Sequence, residues 1–83
     1  MNDKEFKEFE DILKQIKESN KYIWANLRQE NLGDYEAKLL AEALEKANAD
    51  HTIYLSSDIL DNEGFKYLLE AAHNTFMRHN INL

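Results

Sequence analysis

The chain has 83 residues with no cysteine, no proline and a formal net charge of −6. That excludes a disulfide framework and a cysteine-type zinc site, and it opposes nucleic-acid binding through phosphate neutralisation. The N-terminus is charged and no long apolar run exists, so neither an export signal nor a membrane span is read, and the expected location is a reducing cytoplasm. A chain of this length makes one small domain with a modest core.

The first element is a helix over residues 3–19. Phe6, Phe9, Leu13 and Ile16 form its apolar stripe, and Asn2 with Glu5 three residues on fits a reciprocal N-terminal cap. A strand follows at 25–28, then a helix at 34–47 with Ala37, Leu40, Ala41 and Leu44 on one face. A second strand at 53–56 alternates in Ile53, Tyr54, Leu55 and Ser56. A helix at 62–76 carries Phe65, Leu68, Leu69, Ala72 and Phe76, and a last strand spans 81–83. Asp34 and Asn62 stand at the expected N-caps of the second and third helices. Helices alternating with strands favour parallel pairing through helical crossovers.

The sequence repeats every 28 residues. Sliding 25–44 onto 53–72 superimposes Leu27 on Leu55, Leu32 on Leu60, Lys38 on Lys66, Leu40 on Leu68, Glu42 on Glu70 and Ala43 on Ala71. The register extends outward. Ile12, Leu40 and Leu68 share a column, as do Ala25, Ile53 and Ile81, and Leu27, Leu55 and Leu83. A period of this size marks stacked units that bury their apolar faces against one another. The expected division is a cap at 1–22, repeats at 23–50 and 51–78, and the start of a third rung at 79–83. The expected core is Ile12, Leu27, Leu32, Leu40, Leu44, Ile53, Leu55, Leu60 and Leu68.

These residues resemble the leucine-rich repeat family, in its ribonuclease-inhibitor-like subclass. The resemblance implies a short right-handed α/β solenoid, three parallel strands with three helices on one side. It covers 25–72 well and the ends by register alone. The family's asparagine position is Glu30 in one unit and Asp58 in the next, and a carboxylate accepts but cannot donate. The apolar residue the family prefers three positions before Ile53 and Ile81 is replaced by Asp50 and Arg78, so looser turns are expected there.

In this family partners bind the open, concave strand face. Counted on that face, the candidate partner-binding residues are Trp24, Asn26, Arg28, Thr52, Tyr54, Ser56 and Asn82, with Asn80 beside them. Trp, Tyr and Arg dominate interface energetics. The competing reading folds Trp24 under the first helix as a lid on the core. Tyr22 and Tyr35 read as exposed residues that pack turns.

Chemistry is sparse. Gly33 and Gly64 lack the lysine and hydroxyl partners of a phosphate loop. His51 and His79 fall on adjacent rungs, either as a two-imidazole metal site with Asp50 or as exposed loop residues. Glu30 and Asp58 read as a paired-acid site or as the altered asparagine column. No cofactor, metal or catalytic residue is assigned. The first expectation is a non-enzymatic protein-interaction module. The second is a small acidic inhibitor of the immunity type that blocks a basic enzyme cleft, since residues 22–83 hold ten acidic and five basic groups. The partner is a protein, and its surface is basic in the second reading. The edge of 81–83 offers a weak homodimer, or else Phe76 and Met77 cap that end. The chain stops just inside a third rung, as a fragment or a designed array would.

Overall fold

The computed structural model describes residues 2–28 and 32–83, without the side chains of Leu60 and Asp61. In chain order it contains α1 (Asp3–Glu18), β1 (Ile23–Leu27), α2 (Asp34–Lys46), β2 (His51–Leu55), a 3-10 turn (Ser57–Asp61), α3 (Gly64–His73) and β3 (His79–Asn82). The strands form one open parallel sheet in the order β1-β2-β3. Ile23 lies beside His51 and His51 beside His79, and Ala25, Ile53 and Ile81 align two residues on. The 28-residue period is therefore the register of the sheet.

Each strand begins two residues before its expected start. The inward column opens with Ile23, His51 and His79, and the two histidines do not read as inward residues in a hydropathy pattern. The third helix is shorter than 62–76. A 3-10 turn takes up the chain before it, and the Asn74 N–H closes its end on the Glu70 carbonyl. Phe76 thus leaves the helical stripe and is wholly exposed, so it does not cap the end, while Met77 is half-buried.

The caps differ in part from expectation. Asn2 Oδ1 accepts from the Glu5 N–H at 2.8 Å, as its spacing predicts. Gly33 rather than Asp34 caps α2, and the Glu36 carboxylate reaches back to the Gly33 N–H at 2.7 Å. Asp34 instead accepts from the Gly64 N–H of the next unit at 2.9 Å. Asn62 accepts from the same N–H at 2.9 Å and donates through Nδ2 to the Leu32 carbonyl at 3.1 Å. The N-cap position of α3 is thus Glu63, whose side chain makes no cap bond, and Asn62 one residue earlier supplies the acceptor while its amide ties two units together.

Leu27, Leu40, Leu44, Ile53, Leu55 and Leu68 join Phe9, Leu13 and Ile16 of α1 in one buried cluster. Ile12 and Leu32 are only half-buried against it, because α1 turns Phe9, Leu13 and Ile16 inward and leaves Ile12 at the margin. Leu60 and Glu30 lie outside the described side chains. Among the described residues no helix is long and apolar enough to cross a membrane.

Candidate protein-interaction face

Successive side chains of a strand point to opposite faces. In β1 this sends Ala25 and Leu27 into the core and leaves Trp24 and Asn26 exposed, with Arg28 exposed just beyond. Trp24 aligns with Thr52 and Asn80, and Asn26 with Tyr54 and Asn82. Trp24 is 56% exposed, which overturns its reading as a lid under the first helix.

Tyr54 is the centre of this face. The Trp24 ring packs on it at a centroid distance of 5.1 Å and an angle of 58°. The Arg28 guanidinium lies 4.6 Å from the Tyr54 ring centroid. Both are diagonal neighbours of Tyr54 across the β1–β2 seam, which is within reach of large side chains. An aromatic pair adds about 0.5–1.5 kcal/mol beyond its buried area, and an exposed cation–π contact about 0.5–1 kcal/mol. The three side chains thus hold one another in place while presenting Trp24 to solvent.

The remaining candidates divide. Asn80 and Asn82 are exposed. Asn26 is exposed, but its Oδ1 accepts from the Arg28 N–H at 3.1 Å. Ser56 caps the 3-10 turn by accepting from the Asp58 N–H at 3.3 Å. Thr52 does not belong with the accessible residues. It is 6% exposed, and its hydroxyl bonds with the Tyr22 hydroxyl. Tyr22 itself is 57% exposed and extends the aromatic row. It has the parity of Trp24 and Asn26 but precedes the first residue of β1.

The carboxylates gather elsewhere. Asp58 is exposed, and with Asp34, Asn62 and Glu63 it lines a shallow cleft. A second cavity of about 210 Å³, bordered by Leu27, Leu55, Ser56 and Ile59, is smaller than the roughly 300 Å³ of ordinary small-molecule pockets. The groove between α1 and α2 sets Lys7, Lys14 and Lys17 against Glu10, Asp11 and Glu18, so it favours neither sign of charge.

His51 and His79 are adjacent, but they are neither exposed loop residues nor arranged as a two-imidazole metal site. They stack inside the sheet with centroids 5.5 Å apart and planes within 9°. Lone pairs lie in the ring planes, so nearly parallel rings do not converge on one ion. Asp50 is engaged too, accepting from the Arg78 N–H at 2.7 Å. No group of three or more metal-binding side chains exists among the described residues. Burial lowers the pKa of both histidines, and the neighbouring His79 lowers that of His51 further. The Ile16 carbonyl and the Asp50 carboxylate act on His51 in the opposite sense, as the Leu44 carbonyl and Asp50 do on His79.

Comparison with protein families, with curated proteins and with solved structures finds no match to this chain.

Proposed function

We propose that this protein is a non-enzymatic interaction module that binds a protein partner through the outer face of its sheet. The observation that carries the reading is Trp24, 56% exposed and braced by Tyr54 and Arg28 on the sheet face away from the core. Folding leaves more than half of the Trp24 surface in water, and Trp, Tyr and Arg are the side chains most often found as binding anchors. Tyr22, Asn80 and Asn82 supply hydrogen-bonding groups around this centre. The same proposal reads the three rungs as coils of a short right-handed solenoid of the leucine-rich repeat kind. Its support is the 28-residue register and the alternation of helix and strand. It places the protein in the cytosol, where small domains do without the disulfides of exported ones.

A second reading rests on the cleft lined by Asp34, Asp58, Asn62 and Glu63. Its carboxylates suit a basic enzyme cleft, as in an inhibitor of the immunity type, with association speeded by charge. Asp34 is already committed to the Gly64 N–H, which weakens this reading.

A pull-down from lysate at low and high salt separates the two. The proposal expects the captured protein to survive high salt and to be lost with the Trp24→Ala/Tyr54→Ala double variant. Capture that survives in that variant, and is lost in salt or with Asp58→Asn/Glu63→Gln, supports the inhibitor instead.

A further inference from the structure

The His51–His79 stack has no part in the proposed binding face, yet every buried side-chain nitrogen or oxygen without a hydrogen-bond partner among the described residues lies in it. His51 is 0% exposed. Its Nδ1 accepts from the Ile23 N–H at 3.0 Å, which fixes the neutral ring with its proton on Nε2. His51 Nε2 and both nitrogens of His79 are buried without a hydrogen-bond partner. Buried polar atoms are nearly always paired, so three such atoms in one stack call for an explanation.

The two rings differ in how they are held. His51 sits in the central strand, between β1 and β3, and is tied to β1 through Ile23. His79 sits in the edge strand, which has four residues and pairs with β2 alone. The inward residues of β3, His79 and Ile81, are only half-buried. Beyond its ladder with β2, the rung is secured at its start by the Asp50 carboxylate on the Arg78 N–H.

The groups that face the pair are few. From the turn before β2 comes Asp50, and from the ends of α1 and α2 come the carbonyls of Ile16 and Leu44. All three favour a cation. No charged side chain of α1, α2 or α3 enters the balance, and Arg78 contributes its backbone N–H to Asp50. Against them stand burial and the presence of a second imidazole 5.5 Å away.

We propose that the His51–His79 stack is an acid-sensitive latch on the C-terminal strand: taking up a proton releases β3 from β2 while α1, β1, α2 and β2 stay folded. The proton comes from solvent and lands on the lone-pair nitrogen of His79, the less buried ring and the one that accepts no hydrogen bond. A charged imidazole is then trapped beside a neutral one in a site that excludes water. The cheapest relief is movement of the edge strand, which has one neighbour and a half-buried inner face, and which carries His79 out into water. His51 stays, because a proton on its Nδ1 would turn the acceptor of the Ile23 N–H into a donor. Release leaves the β2 edge open, and an open edge is a template for another strand.

Residue-resolved hydrogen exchange on the full chain between pH 8 and pH 5 tests the latch. Protection factors, which divide out the intrinsic pH dependence of exchange, are compared for the β2–β3 ladder, the β1–β2 ladder and α2. An opening coupled to one proton grows up to about tenfold per pH unit below the free-histidine range of roughly 6.5. The expected result is that fall in the β2–β3 ladder, with the β1–β2 ladder and α2 unchanged, and its disappearance in His79→Phe. In wild type the midpoint of the His79 imidazole Cε1-proton titration must coincide with the loss of β3 protection, a criterion that stands even if the variant fails to fold. Constant β3 protection, simultaneous loss of both ladders, a separate midpoint, or an undiminished fall in His79→Phe would each overturn the proposal.

Discussion

A methyl group placed on Gly64 would sit 2.8 Å from the Ala37 Cβ, and 2.9 and 3.0 Å from the Asp34 carbonyl oxygen and Cα. The start of α3 therefore packs directly on the start of α2, where Asp34 also receives the Gly64 N–H. Alanine favours a helix over glycine by about 0.5–1 kcal/mol. Here the neighbours are backbone and a buried Cβ that cannot swing aside, and overpacking costs about 1–3 kcal/mol. Gly64→Ala is expected to lower the urea midpoint. A midpoint equal to wild type or above would show that the two helices separate freely.

Leu40 is 0% exposed in the middle of the shared core. Leu40→Ala is expected to cost about 2–5 kcal/mol, as truncations in a packed core do. A small domain has little more than that to lose. Far-ultraviolet circular dichroism should show a mostly unfolded chain at 37 °C. An unchanged melting curve would remove Leu40 from the centre of the core.

Acid should weaken the fold before the carboxylates titrate. His51 and His79 both have pKa values lowered first by burial. Below about pH 6.5 the unfolded chain binds protons that the folded one refuses. This stabilisation is complete above that pH and is lost as the pH falls toward the lowered folded values. The slope is up to about 1.4 kcal/mol per pH unit for each proton. Urea titrations at pH 8 and pH 5.5 should show lower stability at pH 5.5 in wild type and a smaller difference in His79→Phe. Equal stability at both pH values would contradict the buried, neutral state of the pair.

At the edge of the sheet, β3 has β2 on one side and no strand on the other among the described residues. Phe76, Leu69 and Leu83 are exposed nearby. We propose weak two-fold self-association through this edge. Sedimentation from micromolar to millimolar concentration should show rising mass, reduced by Phe76→Ser, which removes an exposed ring without touching the core. A strict monomer throughout would end the proposal.

The parallel register could be read from the sequence because three columns repeat in phase, and Ala25, Ile53 and Ile81 do align in the sheet. Histidine hid the starts of β2 and β3, since a neutral buried imidazole looks polar in a hydropathy pattern, and β1 is read in phase with them. Asn62 reads as a local cap, but its amide also reaches the Leu32 carbonyl 30 positions away, and only the fold brings these together. Phe76 continues a helical spacing past the point where the chain leaves the helix. On the outer face of the sheet, alternation located Trp24, Tyr54 and Asn82. Thr52 has the same parity but is covered by Tyr22, a contact between two rungs that spacing within one strand cannot reveal.

The most direct measurement of the central claim uses the fact that Trp24 is the one tryptophan in the chain. Its emission reports on the proposed anchor alone, provided the captured partner is observed through a tryptophan-free or tryptophan-analogue-labelled pairing. Titrating that partner into the protein is expected to shift the Trp24 emission to the blue as water leaves the ring. Trp24→Ala should weaken binding by about 2 kcal/mol or more, the scale of an interface anchor, with the circular dichroism spectrum unchanged. Saturable binding that leaves the Trp24 emission where it is in the free protein would contradict the account and move the interface off this face.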